Sequence, residues 1–339
     1  MGDTLLEVRD LHVSFYLTEG IVRAVSGVTL NLQAGRTLGV VGESGCGKSV
    51  TARAILNMVQ RPGRIDRGEI LWYGDPDHPV DIAQLDPRGP DIRNLRWGEI
   101  AMIFQEPMTS LSPVHSIGNQ MIEAIRLHHN ATDAEATEQS VELLNRVGLS
   151  QPARLLDAYR HELSGGMRQR VMIAMALTCS PRLLIADEPT TALDVTTQSQ
   201  ILDLMRDLQD EFGMAILFIT HDLGVIAEMA DDVAVMYLGK EVEIADVDTI
   251  FHRAAHPYTQ ALLRSIPRHD VVTERLESIV GNVPDPYNIP PGCAFHPRCH
   301  HYLADKCASP ELVEVGPGQW ALCARTREIL PASGERTNA

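Results

Sequence analysis

Apolar and polar residues alternate along Leu6-Glu7-Val8-Arg9 and Leu11-His12-Val13-Ser14-Phe15, and again along Val28-Thr29-Leu30-Asn31-Leu32 before the Ala34-Gly35 turn. Alternation of period two predicts half-buried strands, here grouped in an antiparallel edge subdomain. The pattern then changes. Thr37-Leu38-Gly39-Val40-Val41 is almost continuously apolar, as expected of a parallel strand covered on both faces. Val50, Ala54, Ile55 and Met58 follow at helical spacing. Glu99 to Phe104 reads as a further strand, and the pattern from about residue 117 to 178 is helical almost throughout. Two more apolar strands, Leu183 to Ala186 and Ala215 to Ile219, flank a helix whose Ile201, Leu202, Leu204, Met205, Leu208 and Phe212 share one stripe. Strands alternating with helices predict an α/β fold, a mostly parallel sheet with helices on both faces. To this the reading adds the antiparallel β subdomain and a helical subdomain over about 107–178.

Near residue 255 the periodicity fades. Gly281 to Gly292 holds four prolines, and four of the six cysteines lie beyond it. A boundary is therefore placed there, dividing the chain into a domain over 1–255 and a small cysteine-rich extension over 256–339. With 339 residues, 44% of them apolar, there is ample material for a core. Acidic residues outnumber basic ones by 45 to 29, a balance that repels phosphate backbones and argues against nucleic acid as a partner. No apolar run is long enough to span a bilayer, and Met1-Gly2-Asp3-Thr4 has neither a basic nor an apolar leader character. The expectation is a cytoplasmic protein with reduced thiols, in which cysteines serve metal binding, catalysis or packing rather than disulfides.

Gly42-Glu43-Ser44-Gly45-Cys46-Gly47-Lys48-Ser49 fits the pattern G-x-x-x-x-G-K-[ST] and falls between a strand and a helix that begins near Val50. Glycines let backbone N–H groups wrap phosphates, and the helix N-terminus adds its positive end. Lys48 is expected to bridge the β- and γ-phosphates of ATP, and Ser49 to ligate Mg²⁺. Leu183-Leu184-Ile185-Ala186-Asp187-Glu188 delivers two carboxylates to the end of a buried strand, where ligands of open α/β sheets bind. By strand alternation the two point apart. Asp187 is assigned to Mg²⁺ and Glu188 to the attacking water, as its general base. Gln105 follows the strand ending at Phe104 and is expected to be a further Mg²⁺ ligand. His221 ends the strand Ile216 to Thr220, 33 positions after Glu188, and is placed to bond the γ-phosphate.

Five motifs in this order resemble the nucleotide-binding subunits of ABC transporters, a likeness covering about residues 5 to 255. The resemblance implies the P-loop ABC-type ATPase fold. It also implies that Ser164-Gly165-Gly166, which follows Leu163, caps ATP held by an opposite subunit, and that the turn Ala192-Leu193-Asp194 passes signals across the dimer. Phe15, or failing it Tyr16, matches the aromatic on which adenine stacks.

Gln105-Glu106-Pro107-Met108-Thr109-Ser110-Leu111-Ser112-Pro113 and His256-Pro257-Tyr258-Thr259-Gln260-Ala261-Leu262-Leu263 are similar to segments of the dipeptide and oligopeptide permease ATPases. Nickel and oligosaccharide importers share that branch. The resemblance implies an ATP hydrolase peripheral to the cytoplasmic face of the inner membrane. Its partners would be a second ATPase subunit, a paralogue, with two transmembrane permease subunits and an extracytoplasmic substrate-binding protein. Soluble ABC ATPases acting on nucleic acid or ribosomes, and a metal or redox sensor, are the readings of another class. The tail, Cys293-x₅-Cys299-x₇-Cys307-x₁₅-Cys323, offers four thiolates suited to a [4Fe-4S] cluster or to zinc, with unligated thiols as the remaining option. Cys46 reads as a small filler of the glycine loop and Cys179 as core.

Overall fold

Alternation at the N-terminus runs further than three short strands. In the computed structural model, which describes residues 3–105, 111–191, 193–266 and 279–330, Thr4–Leu17 (β1) and Gly20–Gln33 (β2) form one long antiparallel hairpin. Val8 and Leu11 are separated by three positions, an odd spacing that a regular strand would send to opposite faces. Both are nevertheless fully buried, because the register shifts between them, where Asp10 takes a positive φ of 43°. Such a bulge resets which face points inward. Gly63–Trp72 (β4) pairs with the other side of β1, and Val80–Asp81 (β5) closes a four-stranded sheet in the order β2-β1-β4-β5.

The second sheet has eight strands. Thr37–Val41 (β3), Ile100–Ile103 (β6), Leu183–Asp187 (β7), Ala215–Thr220 (β8) and Asp232–Tyr237 (β9) run parallel. Every residue of β3, β7 and β8 is buried. Strand β7 sends Leu184 and Ala186 into a core shared with the helical subdomain, and Leu183 and Ile185 into a second core shared with the antiparallel sheet. That two-sided burial is why these segments read as unbroken apolar runs. The helical subdomain carries the helices Ile117–His128, Asp133–Arg146, Pro152–Leu155 and Gly165–Ala176. Thr132 and Glu135 make reciprocal hydrogen bonds that cap the second of these.

Strand pairing crosses the boundary expected near 255. Lys240–Asp246 (β10) pairs antiparallel with β9 on one side and with Gln319–Leu322 (β12) on the other, and Leu312–Gly316 (β11) lies outside β12. The sheet therefore reads β11-β12-β10-β9-β3-β8-β7-β6. The extension covers an edge that would otherwise present bare N–H and C=O groups. A fully buried carboxylate ties the junction: Glu243 accepts from the backbone nitrogens of Ala255 (2.7 Å) and His256 (2.9 Å) and from Gln319 Nε2 (2.9 Å). His256, also buried, accepts from Tyr258 N and caps the helix Pro257–Arg264. Burial drives its ring down to about 3, so it is neutral.

Candidate nucleotide site

The phosphate loop joins β3 to the helix Lys48–Ile55. Gly42 has φ 153°, and a Cβ there would lie 2.2 Å from Met236 O. Gly47 has φ 104°, and its Cβ would meet Ala24 O at 2.4 Å. Only glycine fits these two approaches. Lys48 is almost fully buried and curls back to donate to Gly42 O (2.7 Å) and Glu43 O (3.2 Å), inside the loop it serves. Ser44 and Gly45 form the outer turn of the loop, and Val50 lies in the first turn of the helix. Cys46 is buried against Lys48 Nζ at 3.8 Å, and burial raises its thiol. It packs as expected, as does buried Cys179.

Asp187 and Glu188 end β7 beside this loop. Ser49 donates its hydroxyl to Asp187 Oδ1 at 3.0 Å, which brings the two residues assigned to Mg²⁺ into contact. Burial pushes the Asp187 carboxyl up, against the hydroxyl of Ser49. Its environment thus favours losing charge unless a cation is supplied. Glu188 differs. Its φ is 49°, so the chain turns out of the strand at this residue, with its N–H donating to Ile219 O at 2.8 Å. Thr191 Oγ1 donates to Glu188 Oε2 at 2.9 Å, and His221 Nδ1 lies 3.3 Å from Oε1. Burial works to raise this carboxyl, but Thr191, His221 and Gln105 together outweigh it and hold the group below the ordinary range. Glu188 is ionised and oriented, as a base must be.

Ser49 with Asp187, and Gln105 and His221 with Glu188, thus meet around one sheet edge, where the Lys48 charge also acts on Asp187. Ser164, Gly165 and Gly166 are not among them. Ser164 caps the helix Gly165–Ala176 by accepting from Met167 N at 3.3 Å, and its first turn faces solvent. No hydrogen bond among the described residues joins these three to the phosphate loop. Leu193 lies against Gly165, and Asp194 caps the helix Val195–Phe212 through Thr197. Ala192 and the stretch Glu106, Pro107, Met108, Thr109, Ser110 lie outside the described residues. At the end of β1, Phe15 is half-buried against Gly63 and Val59, whereas Tyr16 is exposed with the Arg64 guanidinium 4.1 Å over its ring.

Three contributors were not legible beforehand. Thr191 is one; the others are Arg298 and Tyr258, which grip Glu43 from the extension. An arginine beside Cys299 carries no signal that its partner is 255 positions away.

Cys293, Cys299, Cys307 and Cys323 line a single pocket, and all are free thiols. Burial, then the neighbouring thiols, push Cys293 up to about 11, and burial raises Cys299 and Cys323 as well. Among the described residues, no three His, Cys, Asp or Glu side chains are gathered tightly enough to hold a single metal ion.

A glycine loop at the head of a parallel strand, a buried lysine within it and two differently tuned carboxylates on the next strand but one define a P-loop ATPase. The chain belongs to the ATP-binding subunits of the ABC transporters, ATP-hydrolysing proteins, in the branch with a peptide-transporter type of tail. Residues 25–191 match the ABC transporter family and residues 242–307 the oligopeptide/dipeptide transporter C-terminal region. The chain is 49% identical to the probable peptide ABC transporter ATP-binding protein y4tR of Sinorhizobium fredii, over 97% of each chain. It is 45% identical to the oligopeptide transport ATP-binding protein OppD of Escherichia coli, over 97% of this chain and 95% of that one. Among solved structures it is similar to a dimeric ATP-binding cassette in a post-hydrolysis state with ADP and Pi (TM-score 0.63, 25% identity, 72% of this chain and 99% of that one).

Proposed function

We propose that this chain powers the import of dipeptides or oligopeptides, as one of two ATPase subunits seated on a membrane permease. The observation that carries the reading is the tail. The region matching the oligopeptide/dipeptide transporter C-terminal region begins in β10 and runs through Cys307, so it is built into the ATPase sheet rather than hung from it. No helix among the described residues is long and apolar enough to cross a membrane, so the pore belongs to partners: two permease subunits, fed by an extracytoplasmic binding protein. The exposed N-terminus opened by Ser164, Gly165 and Gly166 suits the γ-phosphate of nucleotide bound to a second subunit, which we take to be a paralogue.

In hydrolysis Lys48 and the loop N–H groups hold the β- and γ-phosphates. A water oxygen attacks the γ-phosphorus, its proton passes to a Glu188 oxygen, and the bond to the β-bridging oxygen breaks with its electron pair leaving on ADP. His221, 60% exposed beside Glu188, would bond the γ-phosphate as charge shifts. Mg²⁺, held by Ser49, Asp187 and Gln105, would neutralise phosphate charge. The four tail thiols, which line one pocket, are taken to hold a [4Fe-4S] cluster, with zinc as the alternative; such a group would staple a small, core-poor segment.

The test is ATP hydrolysis by the complex with permease and binding protein in proteoliposomes. Stimulation by di- to pentapeptides is expected. Stimulation by nickel or oligosaccharide, with none by peptides, would overturn the assignment.

A further inference from the structure

Glu43 fills a position that the phosphate-loop pattern leaves open, and residues of the extension fix both its side chain and its backbone. Arg298 Nη1 donates to Glu43 Oε2 at 2.6 Å and Nη2 to Oε1 at 3.1 Å, a two-pronged pair. The arginine side chain is 3% exposed. Its Nε donates to Val280 O and its Nη1 also reaches the Tyr237 hydroxyl. Glu43 N donates to the hydroxyl of fully buried Tyr258 at 2.9 Å. Tyr237, Tyr258 and Phe295 pack ring against ring, with centroids 4.6 to 5.4 Å apart, so the donors sit on a rigid base.

Besides the bonds from Lys48 to Gly42 O and Glu43 O and from Cys46 N to Glu43 O, the loop has few side chains to hold its shape. Gly42, Gly45 and Gly47 all adopt positive φ, and glycine contributes no side chain to lock a conformation. Fork-shaped pairing of a guanidinium with a carboxylate in a desolvated setting fixes geometry more firmly than a lone contact.

We propose that the extension is part of the scaffold of the nucleotide site: Arg298 and Tyr258 are positioning residues that hold Glu43, and through it the phosphate loop, in its nucleotide-binding shape. Arg298 directly precedes Cys299, and Phe295 lines the thiol pocket. The packing of the cysteine segment therefore bears on ATP affinity. The inference rests on residues 42–49 being the ATP phosphate site.

The experiment measures MgATP affinity and the split between KM and kcat in the purified complex with permease, for Arg298→Ala, Arg298→Lys, Tyr258→Phe and Glu43→Gln. Arg298→Ala should raise the Kd and KM for ATP by about 5–30-fold with a much smaller change in kcat, with Arg298→Lys intermediate. Adding Glu43→Gln to Arg298→Ala should weaken binding no further, since the two act as one unit. ATP affinity within about twofold of the parent in Arg298→Ala and Tyr258→Phe, both folded, would overturn the proposal. So would full additivity of the double variant. If Arg298→Ala does not fold, Tyr258→Phe, which removes one hydroxyl, decides. Lys48→Ala separates the two levels: retained MgATP binding there would sink the site assignment itself, whereas its loss alongside unaltered Arg298→Ala would sink only the scaffold role.

Discussion

Glu188 and His221 stand at the carboxyl ends of the paired strands β7 and β8, with Glu188 Oε1 3.3 Å from His221 Nδ1. The contact, with that of Thr191, keeps the carboxyl below its ordinary value of 4.5 despite burial. Its contribution to stability is therefore complete above that value and is lost as pH falls through the lowered folded value. Glu188→Gln preserves shape and removes the base. Turnover should fall by about 10²–10⁴ while MgATP binding persists, measured as phosphate release beside equilibrium nucleotide binding. Near-normal hydrolysis by the complex carrying this variant would exclude the general-base role.

Glu241 supplies a separate pH dependence. It is 6% exposed, accepts from Thr29 N at 3.0 Å with one oxygen and, among the described residues, has no partner for the other. Burial raises it to about 7. Between 4.5 and 7 the folded chain holds a proton that the unfolded chain has released, so stability declines as pH rises through this window and levels above it. The decline should be on the order of 3 kcal/mol, and Glu241→Gln should flatten it. Denaturant unfolding at several pH values reads this directly, and an unchanged slope in the variant would count against it.

Glu243 anchors the extension. Glu243→Ala leaves two backbone N–H groups without their acceptor and removes one of the two acceptors of the Gln319 amide, which keeps Arg253 O. The expected cost is about 3 kcal/mol or more, with limited proteolysis opening the segment after residue 255 first. Gln319→Ala should cost less, because the two backbone bonds survive.

The tail thiols can be tested by elemental analysis. Protein purified without oxygen should be brown and contain about four irons per chain, and Cys299→Ser should lose them. Stoichiometric zinc in colourless protein would point to a structural zinc site instead. Loss of iron should lower the melting transition of the extension and weaken ATP binding through Arg298, sparing Glu188.

Legibility followed burial. Thr37–Val41, Leu183–Asp187 and Ala215–Thr220 were evident because both faces of each strand are covered, which removes polar interruptions. The phosphate loop and the Asp187, Glu188 pair were evident because their chemistry demands fixed residues in sequence. Strands β11 and β12 were not, since Leu312–Gly316 is largely half-exposed and only Gln319 and Ala321 of β12 are buried. A segment of that length matches loop as well as strand. Local pattern also cannot show a contact such as Glu43 with Arg298, which exists only once the chain has folded back on itself.

The pairing of β10 with β12 sets an order of events during synthesis. Gln319 leaves the ribosome 76 positions after the Glu243 it bonds, an interval of roughly 4–15 s at ordinary elongation rates. For that time β10 is an open edge on an otherwise finished sheet, a template for any passing strand. A chain halted in this interval would carry every catalytic residue and still be prone to aggregate, so premature termination near the cysteines should appear as insoluble protein before it appears as lost chemistry.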